Sequence, residues 1–145
     1  MVKLFFQVRG RLNSRRVFWF LLRPVLYFCY HLILLLYGAS IPLNSKIYGV
    51  PVLPHSLYGL FISGDATILE NVTIFQHVTI GSVVTEGSKN IGAPTIGSGT
   101  VIGAGAKVLG NVKVGKNVRI GANCVVVEDV PDGATVVLHK PRILL

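Results

Sequence analysis

At 145 residues the chain is the length of one domain. Its net charge of +8 would suit nucleic acid or a membrane surface. Six of the fourteen basic residues, however, fall in the first 23 positions with no acid among them. The charge is therefore a property of an N-terminal arm. The remainder lacks the aromatics interleaved with cations that a single-strand platform needs, which argues against nucleic acid.

Residues 1–16 are basic and polar enough to stay at a surface. Residues 17–37 (VFWFLLRPVLYFCYHLILLLY) are almost wholly apolar, and about 20 such residues can cross a bilayer. Arg23-Pro24 argues against one span, because proline is poor in a helix interior and restricts the residue before it. The expectation is a short helix, then a second over residues 25–37 with Pro24 at its first turn. Three readings follow: a cap on the domain or a subunit contact, an element lying on an anionic membrane surface, and, last, a true span. The stretch is too long and starts too late for a signal peptide. Gly38 is placed to end the helix. Cys29 here and Cys124 further on sit in different apolar settings, which reads as two reduced, buried thiols in a cytosolic protein.

From residue 41 a period of six takes over. It starts weakly with Ile41, Ile47 and Leu53. It continues as Ile62, Ile68, Ile74 and Ile80, then as Ile96, Ile102, Val108, Val114, Ile120 and Val126. A small or β-branched residue follows four places after each member of the later runs, from Ala66 to Val130. Gly directly follows at 97, 103, 115 and 121. This fits neither a helix nor an alternating strand and marks a structural repeat. The phase slips twice, at PHSLYGLF and at TEGSKNIGAP. Such slips are where loops leave a solenoid and often where function resides, so the two interruptions predict the active-site edge. Pro131-Asp132-Gly133 signals a turn into a short apolar tail. The domain reading is an arm over residues 1–40, a repeat domain over 41–137 and a tail over 138–145.

The repeat resembles the [LIV]-[GAED]-x-x-[STAV]-x hexapeptide of the left-handed parallel β-helix acyltransferases. Within them, PHSLYGLFIS (54–63), NVTIFQHVTIGS (71–82), GAPTIGSGTVIGAGAKVLGN (92–111) and IGANCVVVEDVPDGATVV (120–137) are similar to the serine-acetyltransferase-like branch, which includes enzymes acetylating surface polysaccharides. The resemblance covers about residues 41–144. It implies a mainly β fold, a left-handed parallel β-helix preceded by short apolar helices, in which three hexads close one coil. Aliphatics at the first hexad position would stack inside, Ile96 over Val114 and Ile102 over Ile120.

It also implies acetyl transfer from acetyl-CoA to a hydroxyl, for which a base must take the acceptor proton and donors must stabilise an oxyanion. His55, at the first interruption, matches the family's general base, and a histidine titrates in the right range. The blander reading is a surface loop histidine. Gln76 and His77 are weaker substrate-binding candidates; His31 reads as packed or interfacial and His139 as solvated. The resemblance lines a CoA groove with Gly81, Ser82, Ala104, Gly105 and Lys107, with Lys140 or Arg142 toward the CoA phosphates. Gly105 would admit the pantetheine close to the backbone. Lys107, Lys113 and Arg119 recur every six residues, but in a three-hexad coil they fall on three faces. No Cys/His cluster has metal-ligand spacing, so no metal is expected.

Two departures matter. Pro54 stands where serine acetyltransferases carry an Asp before the catalytic His, and Ala93 stands where a second His precedes Pro94. Both favour a sugar or glycan hydroxyl over free serine, with serine O-acetyl transfer the near alternative and a non-catalytic β-helix scaffold the distant one. The resemblance further implies a homotrimer. The arm, residues 1–37, suggests a cytoplasmic protein peripheral on the inner membrane face.

Overall fold

The computed structural model describes residues 2–12 and 18–139. Two helices, α1 (Val2–Leu12) and α2 (Phe18–Leu36), precede twelve strands of two or three residues. The strands are β1 (Lys46–Ile47), β2 (Phe61–Ile62), β3 (Thr67–Ile68), β4 (Thr73–Ile74), β5 (Thr79–Gly81), β6 (Thr95–Ile96), β7 (Val101–Ile102), β8 (Lys107–Leu109), β9 (Lys113–Val114), β10 (Arg119–Ile120), β11 (Val125–Val126) and β12 (Thr135–Val136). They form three four-stranded parallel sheets, the faces of a left-handed β-helix. Face one is β1-β3-β6-β9, face two β4-β7-β10-β12 and face three β2-β5-β8-β11. The chain visits one, two and three in turn.

The period of six is the cause. A hexad makes one strand and one corner, so the next hexad starts on the next face. Ile96 pairs with Val114 and Ile102 with Ile120, as the spacing predicts. Single bridges extend the coils in both directions, with Ser40 on Phe61, Val52 on Thr73 and Val130 on Val114. The first-position aliphatics from Ile62 to Val126 and the small plus-four residues from Ala66 to Val130 are all buried, apart from those in the second interruption. Thr100 is the polar exception; its hydroxyl donates to the Gly115 carbonyl at 2.9 Å, so burial leaves no orphan. Lys107, Lys113 and Arg119 do fall on three different faces.

Corners are turned by left-handed residues, alternately glycine and a residue with a side chain. Between faces one and two these are Gly49, Asn71, Gly99, Asn117 and Gly133. Between faces two and three they are Gly59, His77, Gly105 and Asn123. The alternation has a steric origin. A Cβ on Gly99 would lie 2.3 Å from the Asn117 side-chain oxygen, and one on Gly105 would lie 2.2 Å from that of Asn123. Gly59, Gly99 and Gly105 each leave a gap that the left-handed residue of the next coil fills.

The arm departs from expectation at Pro24. The described helix is continuous from Phe18 to Leu36 with Pro24 inside it, not a short helix followed by one over residues 25–37. Proline forfeits one backbone bond, but the tertiary contacts of Tyr30 and Leu34, both buried, hold the helix on the domain. Gly38 does end it, at φ +56°. Gly38 N–H donates to Leu35 and Ala39 N–H to Leu34, the paired bonds of a Schellman stop. Cys29 also differs from expectation: it is exposed on α2, while Cys124 is buried. The stretch is apolar because α2 is apolar all round, so apolar neighbours did not imply burial. His31 is exposed, its ring 4.1 Å from that of Tyr27.

Both helices are pinned to the first coil. Phe5 stacks on Tyr30 at 4.9 Å, and the Tyr30 hydroxyl donates to the Ile41 carbonyl. The guanidinium of Arg9, itself buried, donates to the carbonyls of Leu43 and Ser45 and to the Ser45 hydroxyl. The helix pair thus caps the N-terminal end of the β-helix over Ile41, and α1, whose composition suggested a surface segment, buries Phe5, Phe6 and Arg9.

Candidate active site

The two interruptions leave the prism at different edges. The first, between Val52 on face two and β2 on face three, is a turn over residues 54–59 at the two–three edge. The second, between β5 and β6, leaves at the three–one edge. It is closed at its base by an antiparallel bridge between Val83 and Gly92. Asn90 fixes it there, its amide donating to the carbonyls of Leu109 and Val127 at 3.2 and 3.0 Å. In a single chain the two lie one face apart, instead of sharing the one edge expected of them.

His55 is exposed on the first turn, its ring 5.9 Å from that of Phe75. The turn is held from three sides. Ser56 N–H donates to Leu53, Gly59 N–H to the Tyr37 carbonyl at the end of α2, and the Tyr58 carbonyl accepts from His77 N–H at 2.9 Å. Tyr37 and Tyr58 also meet edge to face at 4.7 Å. His77 adopts φ +59°, and a Cβ on Gly59 would lie 2.1 Å from its Nδ1. The imidazole of His77 therefore fills the gap at Gly59 as Asn123 does at Gly105. This gives His77 a packing role that accounts for its place in the corner.

The same edge gathers much of the remaining candidate set. Gly105 N–H donates to the Gln76 carbonyl at 3.0 Å and Asn123 N–H to that of Ala104 at 2.8 Å. His55, Gln76, His77, Ala104, Gly105 and Lys107 thus lie along successive coils of the two–three edge. The side-chain oxygen of Gln76 is buried and unpartnered among the described residues. Such an acceptor costs about 1–3 kcal/mol unless a donor reaches it. Lys107 is exposed, its ammonium 3.0 Å from the Gly105 carbonyl. Gly105 is explained by its φ of +70° and by Asn123, without a ligand.

Gly81 and Ser82 lie at the far end of face three. Thr79 pairs with Lys107 and Gly81 with Leu109, so the two groups are about 7 Å apart along the strand. They line a cavity of about 350 Å³ with Phe61, Ser63 and Thr79, a volume at the low end for ligand pockets. The Ser63 hydroxyl donates to that of Ser82 at 3.1 Å. Lys140 and Arg142 lie outside the described residues. His139 is exposed. Among the described residues no three His, Cys, Asp or Glu side chains come together as a metal-ligand set.

Sequence reasoning passed over Phe75, Tyr37 and Tyr58. Phe75 carried a signal: from Ile62 to Val126 the residue after the first aliphatic is Gly, Ser, Leu or Val, and aromatic only in Ile74-Phe75. Tyr37 and Tyr58 carried none, because their meeting depends on where α2 docks.

Residues 93–128 match the family model described as bacterial transferase hexapeptide (six repeats). The fold is that of solved serine acetyltransferases. The Entamoeba histolytica isoform 3 enzyme in complex with cysteine is 34% identical, with a TM-score of 0.68. The Neisseria gonorrhoeae enzyme in complex with serine is 31% identical, with a TM-score of 0.70. The chain carries the hexapeptide repeat and is similar to the serine-acetyltransferase-like branch. The alignments cover 78% and 94% of this chain but 39% and 55% of those chains. A serine acetyltransferase in complex with CoA is also similar, at 30% identity and a TM-score of 0.69 over 90% of this chain and 50% of its own. A search of curated proteins found no match. This hexapeptide-repeat chain thus spans about half or less of those enzymes' length.

Proposed function

We propose that this protein is an acetyl-CoA-dependent O-acetyltransferase with His55 as general base. The observation that carries the reading is an exposed histidine on a turn bonded into an edge of a hexapeptide β-helix whose solved relatives are serine acetyltransferases. In the proposed step His55 takes the proton of an acceptor hydroxyl, and its oxygen attacks the thioester carbonyl. The tetrahedral adduct then collapses to the acetyl ester, expelling CoA thiolate, which recovers the proton. His55 suits this because imidazole exchanges protons near neutral pH. The donor would lie across face three, between Gly81-Ser82 and Ala104-Gly105-Lys107, with Lys140 or Arg142 toward its phosphates.

For the acceptor, the comparisons favour serine over the sugar that the sequence put first, since the similar structures include serine and cysteine complexes. One observation keeps the sugar or glycan hydroxyl as a second reading: Pro54 and Ala93 remove two polar groups that would meet an amino acid. The buried oxygen of Gln76 is an acceptor for a substrate hydroxyl or ammonium in either case. The proposal includes a homotrimer, and a cytoplasmic enzyme peripheral on the inner membrane face through residues 1–37.

The test is thioester consumption with serine, sugar-nucleotide and lipid-linked acceptors, wild type against His55→Ala. A loss of about 10²–10⁴-fold is expected for removal of a general base. Equal rates would remove His55 from the mechanism. Absence of CoA binding by calorimetry would leave a scaffold.

A further inference from the structure

The helix α2 has two apolar faces and only one is used. Tyr30 and Leu34 are buried against α1 and the first coil, with Leu26 and Ile33 packed beside them. On the opposite side Val25, Phe28, Leu32, Leu35 and Leu36 are exposed, Leu35 to 77% and Leu36 to 72%. Their spacing of three and four puts them in one stripe. A contiguous apolar stripe of this kind marks a docking surface.

Charge selects the occupant. Residues 1–64 contain seven Lys and Arg and no Asp or Glu, whereas the rest of the chain carries seven basic residues against six acidic. Nearly all of the net charge of +8 therefore precedes Asp65. Lys3 and Arg11 are exposed on α1, which packs beside α2, and Arg23 is exposed on α2 itself. A second copy would bring cations against cations; an anionic bilayer would neutralise them. Basic residues close to such a surface are attracted to its anionic headgroups, and salt screens the attraction. No helix among the described residues is long and apolar enough to cross a membrane, and one side of α2 is committed to the protein. We infer that α2 lies flat on an anionic membrane surface, its outer stripe in the acyl boundary and the arm's cations at the headgroups.

The docking reaches the candidate site. The carbonyl of Tyr37, just past α2, accepts from Gly59, and Ser40 exchanges bonds with Leu60 and Ile62. The turn that carries His55 is bonded directly to the end of the docked helix. The surface would hold that turn beside the bilayer whatever the acceptor, so the inference does not depend on the acetyl-transfer reading.

The experiment is sedimentation of the full chain with vesicles of phosphatidylcholine alone or with phosphatidylglycerol. An environment-sensitive dye on exposed Cys29 gives a second readout. Binding only to the anionic vesicles, weakened by salt, with a blue shift of the dye, is expected. Phe28→Glu with Leu35→Glu should lower binding at least about tenfold while leaving the melt and thioester consumption in solution as in wild type. Equal binding to both vesicles, or to neither, would overturn the inference. So would a double variant that binds vesicles normally yet breaks up an assembly in vesicle-free ultracentrifugation, which would assign the stripe to a contact between copies.

Discussion

Ile102→Ala tests the stacking that builds the fold. Ile102 is fully buried on β7, in register with Ile74 on one side and Ile120 on the other. The change removes three carbons, about 2.4 kcal/mol of transfer free energy at about 0.8 kcal/mol each. A cavity is left as well, and buried Ile→Ala changes span about 2–5 kcal/mol according to how far the neighbours collapse. Here they are held apart by backbone ladders, with Phe75 N–H on the Ile102 carbonyl and Gly103 N–H on that of Ile120. The upper half of the range applies, about 4 kcal/mol. For a domain of this size that lowers Tm by about 12 °C. The assay is a thermal melt by circular dichroism at one protein concentration, with Val84→Ala as control; Val84 is 83% exposed in the second interruption, so its change should stay within about 0.5 kcal/mol. An Ile102→Ala melt within about 2 °C of wild type would refute the stacked interior.

Two further outcomes follow from single positions. A Cβ on Gly97 would lie 2.3 Å from the Gly115 carbonyl oxygen, a backbone atom that cannot swing away. Gly97→Ala should therefore cost at least about 1–3 kcal/mol in denaturant titration, whereas Gly10→Ala, in α1 with nothing within 4 Å, should gain about 0.5–1 kcal/mol; equal effects would refute the close approach of coils. Burial raises the Tyr30 phenol above 10.0, with Arg9 opposing. A raised folded-state value means its stabilisation is complete below pH 10 and lost as pH rises through the folded pKa. Melts above pH 10 should fall faster for wild type than for Tyr30→Phe, and parallel curves would refute a Tyr30 contribution.

The repeat was legible because every member of the period obeys one rule: an inward aliphatic costs stability if exposed, so it recurs wherever the chain returns to the same face. Register followed, and Ile96 over Val114 could be assigned from spacing alone. Pro24 was misjudged because local propensity favours a break there, while the contacts of Tyr30 and Leu34 with α1 and the first coil are tertiary. Cys29 was misjudged for a related reason: on a helix that is apolar all round, composition cannot tell the covered face from the bare one. His55 stood out by its place in an interruption. His77, at a corner position occupied elsewhere by Gly or Asn, could have been read as a left-handed residue, since His is among the few side chains enriched there.

Sequence spacing put both interruptions at one active-site edge, whereas the structure separates them, and this bears on assembly. A slip of phase says that a loop departs but not at which corner. Counting strands between them settles it: the turn with His55 sits between faces two and three, and the loop over residues 85–94 sits between three and one. Asn90, bonded to Leu109 and Val127 in later coils, ties the second loop to its own edge, away from His55. One face carrying the cavity beside Gly81 and Ser82 separates the two. A substrate touching both interruptions in one chain would have to bridge that face. If copies of the prism stand side by side, the loop of one meets the His55 edge of the next and the face between them becomes a groove. The proposed homotrimer would bring the two insertions of neighbouring copies together across that face. Among the described residues His55 has Phe75 as its ring neighbour, and in the proposed mechanism a polar group that orients the imidazole would come from substrate or from an adjacent copy.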